Sequence, residues 1–366
     1  MTSLPPLYAR WMDDLLGGPV PQETKATCDD CAMCAKPGDE VAAAALSFDP
    51  SVKCCSIVPE LSNFLVGGIL DANGADAVAL QGRASIERRI SEGVAVTPLG
   101  LFKPPVFKLI YHNIDSAFGR SQTLRCPHYV EEAGRCGIWR HRGSTCATWF
   151  CKHVRGALGM KFWRGSLEPL LNLIENDLAQ WCVLKVGLDA EALEDLLSSR
   201  REAAADLLTK EDLENRCDPV RQRRIWGKWY RRERELFVEC ARLVAPLSWV
   251  ETLAICGPEV SIHARLTRLA YEKLLSNDVA PGLKAGSVQL VKLTTSVSRL
   301  RSYSPYDPID VPTELIELLG YFDGRPTEEA LNAIAVDKGT HLDPQLVRKL
   351  CDFEVLIQTD GAPQTK

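Results

Sequence analysis

The chain has 366 residues, of which 46% are hydrophobic and 25% are charged, and its formal net charge is −5. This composition is that of an ordinary globular protein with room for two or three domains, and it excludes a disordered chain. The small negative charge gives no general attraction to nucleic acid or to an anionic membrane.

The sequence contains no recognisable membrane or export signal. No segment approaches the roughly 18 consecutive apolar residues that a membrane helix needs. The N-terminal segment, residues 4–18, contains Asp13 and Asp14 and lacks the apolar core of a signal peptide. We therefore expect a cytoplasmic protein that does not bind a membrane.

The first 160 residues are predicted to contain short helices that alternate with two cysteine-rich stretches. Residues 4–17 have the pattern of an amphipathic helix, and further helices are predicted at 59–70, 75–90 and 102–118. The cysteine-rich stretches, residues 27–56 and 126–153, contain glycines, prolines and short polar runs that favour loops and turns.

The middle of the chain is predicted to be helical. Apolar side chains recur at spacings of three and four over residues 167–186, and residues 189–208 continue the pattern with Asp189 as a candidate N-cap. Two longer helices are predicted at 219–246 and 258–275. Residues 280–286 are predicted to be a linker.

The C-terminal residues are predicted to form a small α+β domain. Residues 287–303 alternate and are rich in Val and Thr, which predicts one or two strands. Helices at 312–321, 327–335 and 344–350 follow, with Asp323-Gly324 as a turn, and 353–358 is a candidate closing strand. This order is typical of a winged-helix-like fold.

The distribution of the 14 cysteines is uneven. Nine lie between residues 28 and 151, and the other five are scattered singly at Cys182, Cys217, Cys240, Cys256 and Cys351. Scattered cysteines are typical of small buried hydrophobic residues, whereas clustered cysteines are typical of metal ligands. Cytosolic thiols are kept reduced, so a disulfide framework is a poor explanation of the cluster.

The clustered cysteines are predicted metal ligands: Cys28, Cys31, Cys34, Cys54, Cys55, Cys126, Cys136, Cys146 and Cys151. Gaps of two residues within the first three let neighbouring thiolates converge on one ion. Thiolates favour zinc or an iron–sulfur cluster and exclude calcium and magnesium. The number of metal sites is left open. Two alternatives also remain: packed thiols that bind no metal, and a redox disulfide switch.

Histidines and cations accompany the second cysteine stretch. His128, His141 and His153 are each candidates for a metal ligand, for a group hydrogen-bonded to a ligand, or for an ordinary histidine. The cations nearby are Arg140, Arg142, Lys152 and Arg155. They either offset the negative charge of the thiolates, a role we assign first to Arg142 and Lys152, or they are ordinary solvated side chains.

Residues 221–234 contain seven Arg or Lys residues interleaved with Trp226, Trp229 and Tyr230. Such a segment can bind a phosphate backbone and stack bases. The aromatic residues continue an apolar helical stripe through Leu236 and Cys240, so we favour a helix whose aromatic face lies in the core. A nucleic-acid partner is therefore not expected.

Residues 27–155 resemble the YkgJ-like family of zinc- or iron-chelating cysteine-cluster proteins. The matching residues are Cys28, Cys31, Cys34, the Cys54-Cys55 pair, Cys126-Pro127, Cys136-Gly-Ile-Trp139, Arg142, Cys146 and Trp149-Phe150. The family's early cysteines end in a Cys-Cys pair, whereas here Ala35 follows Cys34 and the pair arrives later. Which of Cys34, Cys54 and Cys55 coordinate is therefore left open. The family is also similar to flagellin lysine-N-methylases, which implies a methyltransferase as an alternative.

Residues 318–335 resemble PqqD-like peptide-binding domains. The matching residues are Asp323-Gly324, Arg325 and Thr327, with Thr327 as a candidate N-cap. In that family the fold delivers a peptide to a modifying enzyme, which implies that the strand region 288–297 accepts a peptide by strand addition. A domain used only for packing or dimerisation is the alternative.

The predicted fold class is mainly α, with four parts: an N-terminal helix (1–24), a cysteine-cluster metal-binding domain (25–160), a helical region (161–280) and a winged-helix or PqqD-like domain (281–366). The predicted function is a protein that binds an iron–sulfur cluster, with [4Fe–4S] favoured, or zinc, and that acts on or with a polypeptide partner. A protein lysine methyltransferase that uses S-adenosylmethionine and a structural zinc protein with an interaction role are the alternatives. Phosphate-loop, dinucleotide and hydrolase signatures are absent, and Gly67-Gly68 is interpreted as close helix packing.

Overall fold

The structure is a computed structural model that describes residues 4–25, 28, 30–35, 47–72, 76–114, 117–203 and 210–359. The described residues are mainly helical and include several small antiparallel sheets, so the mainly α prediction is confirmed. The chain forms two compact units. The first comprises residues 1–22, 27–149 and 167–266, and the second comprises residues 23–26, 150–166 and 267–366. The first cysteine-rich stretch and most of the second thus belong to the first unit, together with most of the helical middle region.

The elements run in chain order as follows. The first part contains α1 (Pro6–Leu16), β1 (Leu61–Ser62), α2 (Asn63–Asp71), α3 (Ala77–Glu92), β2 (Val96–Thr97), β3 (Gly100–Leu101), α4 (Pro105–Asn113), β4 (Tyr129–Val130), β5 (Arg135–Cys136) and α5 (Ser144–Thr148). Next come α6 (Gly156–Phe162), α7 (Glu168–Lys185), α8 (Ala190–Ala203), α9 (Lys210–Leu213), α10 (Pro219–Trp226), α11 (Glu233–Val244), α12 (Trp249–Ile255) and α13 (Pro258–Leu275). Among these, α6 belongs to the second unit and α13 contributes residues to both units.

Local sequence signals explain where several helices begin and end. α1 begins with a proline in its first turn and ends at Gly17, whose φ of 64° is the left-handed conformation that favours glycine. Asp76 caps α3 by accepting a hydrogen bond from Ala79 N (2.8 Å). Ser248 and Glu251 form a capping box at the start of α12.

The centre of the first unit is the packing of α2 on α11. A Cβ atom on Gly67 would lie 1.8 Å from the carbonyl oxygen of Phe237, so only glycine allows the two helices to approach this closely. Leu236 and Phe237 are fully buried. Asn63, at the start of α2, donates to the carbonyl oxygens of Pro98 and Ala179, both at 3.0 Å. The Gly67-Gly68 pair is therefore a packing feature, as predicted.

The second unit combines α6 with an α+β segment. This segment contains β6 (Gly282–Ala285), β7 (Gln289–Lys292), β8 (Val297–Arg301), β9 (Ile309–Pro312), α14 (Glu314–Leu319), β10 (Asp323–Pro326), α15 (Thr327–Lys338), α16 (Pro344–Asp352) and β11 (Leu356–Gln358). The strands form two antiparallel sheets with the orders β10-β6-β11 and β7-β8-β9. Leu300 and Ile309 pair across β8 and β9 and enter one core with Phe322, Ile334 and Leu350.

A buried ion pair fastens α6 within the second unit. Arg155, which precedes α6, donates from Nε and Nη2 to the two carboxylate oxygens of Asp352, both at 2.7 Å. Its Nη1 also donates to the carbonyl oxygen of Ser276 (2.8 Å). A two-point contact of this kind fixes the orientation of both side chains.

Several predicted boundaries are wrong. The helix predicted at 219–246 is broken between α10 and α11, because Gly227 (φ 48°) and Arg231 (φ 65°) have positive φ angles that no α-helix accommodates. The predicted linker 280–286 contains β6, the central strand of its sheet. Asp323-Gly324 lies in strand β10 instead of in a simple turn. Thr327 is not an N-cap, because its hydroxyl donates to Ala280 O (2.8 Å).

The remaining predicted elements are present with shifted ends. The helices predicted at 102–118 and 59–70 correspond to α4 and α2, and both are shorter than predicted. The predicted end of the 189–208 helix falls partly outside the described residues. None of the helices in the described ranges combines the length and the apolar character needed to cross a membrane.

Candidate metal centre

The first cysteine group lies in a loop that backbone hydrogen bonds hold in place. Cys34 N donates to Cys31 O (3.1 Å), and Phe48 N donates to Met33 O (2.7 Å). Cys34 also pairs with Phe48 in an isolated parallel bridge. The loop is therefore fastened to the residues that lead to the Cys54-Cys55 pair, while residues 26, 27, 29 and 36–46 lie outside the described residues.

Lys53 and Cys55 join the first cysteine stretch to the second. Lys53 Nζ donates to the carbonyl oxygens of Cys28 (2.6 Å) and Gly134 (2.7 Å). Cys126 N donates to Cys55 O (2.7 Å). Two stretches that are far apart in the sequence are therefore neighbours in the first unit.

The hairpin β4–β5 and helix α5 position the second group. Cys136 pairs with Tyr129 across the hairpin, whose turn contains Gly134 with a φ of 60°. Gly137 allows the hairpin to approach α3, because a Cβ atom there would lie 2.7 Å from Gly82 Cα. Cys146 lies on α5. The cysteines of this group thus come from three local structures that tertiary contacts bring together.

Burial and neighbouring thiolates shift the pKa values of these thiols. Burial, followed by the charges of Cys54 and Cys136, raises the pKa of Cys28 to about 12. Burial, followed by Cys136 and then Cys54, raises the pKa of Cys146 to about 12. Burial also raises the pKa of Cys126, where Cys136 adds to the effect.

Each of six thiols is affected by others in the same set, five of them through charge and Cys54 through a hydrogen bond with Cys55. The set comprises Cys28, Cys54, Cys55, Cys126, Cys136 and Cys146, and we call it the thiol cluster. Within it, a hydrogen bond between Cys54 and Cys55 lowers the pKa of Cys54 and raises the pKa of Cys55. Cys54 is therefore the member of that pair that ionises first.

Cys31 and Cys34 form a smaller pair beside the thiol cluster. Burial, followed by Cys31, raises the pKa of Cys34 to about 12. Tyr129 lies close to both sets, since burial and then the charges of Cys55, Cys34 and Cys28 raise its pKa to about 12. The structure thus places eight of the nine predicted ligands in one region of the first unit.

Arg142 is a buried cation within the thiol cluster. It is only 6% exposed, and its guanidinium carbon lies 3.4 Å from the centroid of the Trp139 ring. Nε donates to Trp139 O (3.1 Å), and Nη1 donates to Cys146 O (3.2 Å). Burial lowers the pKa of Arg142, while the charges of four cluster thiols raise it. Because an arginine stays protonated in proteins, Arg142 places a permanent positive charge among the thiols.

The donor set fits a soft metal, but the ligand atoms do not converge on one point. No three His, Cys, Asp or Glu side chains in the described part of the chain have a metal-holding arrangement. None of the six cluster thiols forms a disulfide bond. Thiols with raised pKa values keep their protons at neutral pH, and a bound metal ion is what displaces such protons. Sulfur donors around an arginine fit zinc or an iron–sulfur cluster and do not fit calcium or magnesium.

The ninth predicted ligand, Cys151, lies in the second unit, together with Lys152, His153 and Arg155. Within that unit, His153 N donates to Asp307 Oδ2 (2.9 Å) and Lys152 Nζ donates to Tyr306 O (3.0 Å). Lys152 and Arg155 are thus engaged by groups of the second unit.

His128 is buried, His141 is half-buried, and both are uncharged. Ser85 Oγ donates its one hydrogen to Gly82 O (2.6 Å), so His128 Nδ1 donates to Ser85 Oγ (2.7 Å). Burial lowers the pKa of His128 to about 3 and the pKa of His141 to about 4. The His141 ring packs against α2, where a Cβ on Gly68 would lie 2.7 Å from Nδ1. Both imidazoles are therefore neutral at physiological pH.

Glu175 is a functional candidate that the sequence interpretation missed. It is 7% exposed, and its Oε1 accepts hydrogen bonds from Ser144 N (2.6 Å) and from the Tyr8 hydroxyl. Burial raises the pKa of Glu175 to about 7. A signal was available, because Glu175 falls on the apolar stripe of α7, next to the buried Ile174 and one turn before Leu178.

The basic and aromatic segment has one aromatic side chain in the core and two that are half-buried. Trp226 on α10 is 1% exposed, whereas Trp229 and Tyr230 are half-buried and lie at the break between α10 and α11. Arg224 Nε donates to Asp195 Oδ2 (2.7 Å) on α8, and Arg232 Nε donates to Glu235 Oε2 (2.8 Å). These arginines thus pair with nearby acids, as the preferred interpretation predicts, but the single helix with all three aromatic residues on a core face is wrong.

Comparison with known proteins adds no relative. No protein-family model matches the chain, and neither a curated protein nor a solved structure matches it.

Proposed function

We propose that the chain is a metal-binding cysteine-cluster protein that acts on or with a polypeptide partner. The observation that carries this proposal is the meeting of thiols from two distant stretches around one buried arginine. A single buried cysteine needs no positive charge beside it, whereas several thiolates that are removed from water need a cation to offset their charge. An iron–sulfur cluster, with [4Fe–4S] favoured, or zinc is the proposed metal.

The chain's own residues have defined roles in this proposal. Cys28, Cys54, Cys136 and Cys146 are the thiols whose charges act on Arg142, and we propose them as the principal ligands. Arg142 offsets their charge and, by donating to Cys146 O, fixes the backbone that carries one of them. A zinc ion would supply structural cross-linking here, and an iron–sulfur cluster would supply electron transfer as well.

The polypeptide partner is proposed for the second unit. β7 lies at an edge of the order β7-β8-β9, and most of its residues are exposed. An exposed edge offers backbone groups to which an extended peptide can add as a strand. The winged-helix or PqqD-like character of this unit is part of the same proposal. Protection of β7 amides from hydrogen exchange when a candidate polypeptide is added tests it.

Metal analysis of protein purified without oxygen tests the metal proposal. Brown protein with iron, sulfide and a broad visible absorbance band indicates an iron–sulfur cluster, and colourless protein with stoichiometric zinc indicates a structural zinc site. Cys136→Ser is expected to reduce the metal content, whereas Cys256→Ser, a buried cysteine outside the thiol cluster, is the matched control. Protein that contains neither metal and keeps its structure in a strong chelator would refute the proposal.

A further inference from the structure

A small cavity lies beside the thiol cluster in the first unit. Its volume is about 100 Å³. Its polar wall includes Glu60, Lys103, Ser144, Asn172 and Glu175, and Cys146 of the thiol cluster also lines it. The cavity thus connects a cluster cysteine with a buried carboxyl group.

Glu175 is held in place as the innermost acid of this cavity. Hydrogen bonds from Ser144 N (2.6 Å) and from the Tyr8 hydroxyl end on its Oε1. Ser144 Oγ in turn donates to Asn172 Oδ1 (2.5 Å). This arrangement fixes the carboxyl group at the wall of the cavity.

The cavity wall lacks a positive charge for Glu175. Among the described residues that line it, Lys103 is the one cation, and its ammonium group lies 3.8 Å from a carboxylate oxygen of Glu60. Burial and then hydrogen bonding set the pKa of Glu175 at about 7, and Glu60 adds a repulsive charge. A buried carboxylate is normally paired with a cation, and this one has none on the cavity wall.

We propose that this cavity binds a small protonated primary amine, free or at the end of a longer molecule, with the Glu175 carboxylate as its ion-pair partner. An ammonium group has three N–H donors, and the Glu175, Glu60 and Asn172 oxygens are acceptors in the wall. A volume of about 100 Å³ is several times the roughly 10–15 Å³ that one water molecule needs, so it holds an aminoethyl group. The inference goes beyond the metal centre and needs no particular metal.

The probe for the test is ethylammonium chloride, added to freshly isolated, metal-containing protein. Ethanol, which has a similar size and no charge, and tetramethylammonium chloride, which is charged but has no N–H donor, are the ligand controls. Binding is measured as a saturable rise in the thermal unfolding midpoint and as heat in calorimetric titration. We expect saturable binding of ethylammonium only.

The variant Glu175→Gln keeps a hydrogen-bond acceptor and removes the charge, so its affinity for ethylammonium should fall at least about tenfold, the usual effect of a charged hydrogen bond. Glu194→Gln removes an exposed acid on α8 and should bind as the wild type does. The proposal would be overturned if Glu175→Gln bound ethylammonium as tightly as the wild type does. It would also be overturned if all three probes had equal effects on the wild type, a comparison that needs no variant. Metal content measured in the same samples separates this result from a failure of the metal proposal.

Discussion

Glu175→Gln should change how the stability of the first unit depends on pH. Burial raises the pKa of Glu175 to about 7 from an ordinary value of 4.5. The folded protein therefore holds a proton on Glu175 that the unfolded chain releases, and stability falls as the pH rises from about 4.5 to about 7.

The magnitude follows from the size of the shift. A difference of about 2.5 pH units, at 1.36 kcal/mol for each unit, is about 3 kcal/mol of stability lost across this window. Glutamine carries no titrating proton and its amide oxygen accepts from Ser144 N and the Tyr8 hydroxyl, so the variant should lack this loss. The variant and the wild type should therefore have similar stability near pH 5, and the variant should be more stable at pH 8.

Urea unfolding at a series of pH values, followed by tryptophan fluorescence, measures the effect. The quantity to compare is the difference between the two proteins at each pH, because His128 and His141 add a pH dependence of their own that is common to both. Their pKa values are lowered by burial, so their effect increases stability as the pH rises. A difference that stays constant from pH 5 to pH 8 would refute the assignment of a raised pKa to Glu175.

Three further predictions concern the thiol cluster, the core and the second unit. Arg142→Met should lower the metal content of purified protein at least severalfold, because four thiolates lose their buried countercharge. Gly67→Ala should lower the free energy of unfolding by more than about 2 kcal/mol, since its Cβ would lie 1.8 Å from Phe237 O. Asp352→Asn should lower the stability of the second unit by about 3 kcal/mol, because it leaves the largely buried guanidinium of Arg155 without its partner.

Matched variants control these experiments. Arg140→Met removes a neighbouring exposed cation and should keep its metal. Equal loss in both variants would contradict the role of Arg142. Gly165→Ala adds a Cβ with nothing within 4 Å and should be almost neutral. In a double-mutant cycle, Arg155→Met should add little to Asp352→Asn, and additive losses would show that the two side chains do not interact.

Local sequence signals were sufficient for many of the helices. α7 and α13 have long apolar stripes at helical spacing, and their predicted and observed ranges nearly coincide. Asp189 was predicted as an N-cap, and Ala192 N donates to its carboxylate at 2.8 Å. Such features need only neighbouring residues, which is why periodicity and capping rules find them.

Features that depend on contacts between distant residues were not found. Periodicity gave no indication of the break near Gly227, since apolar residues continue at helical spacing on both sides of it. The short segment around Gly282 predicts a linker, whereas β10 and β11 on its two sides make β6 a central strand. Hydrogen-bonded partners from elsewhere in the chain decide this second case.

The sequence by itself determined the composition of the candidate metal centre: clustered cysteines with short gaps, a nearby arginine, and the soft-metal chemistry that thiolates imply. Only the tertiary structure brought the two stretches together, through hydrogen bonds from Lys53 Nζ to Cys28 O and from Cys126 N to Cys55 O. Burial, likewise, is a property of the packed protein. Folding removes water from around both side chains, so that Arg142 becomes a buried cation among the cluster thiols and the pKa of Glu175 rises to about 7.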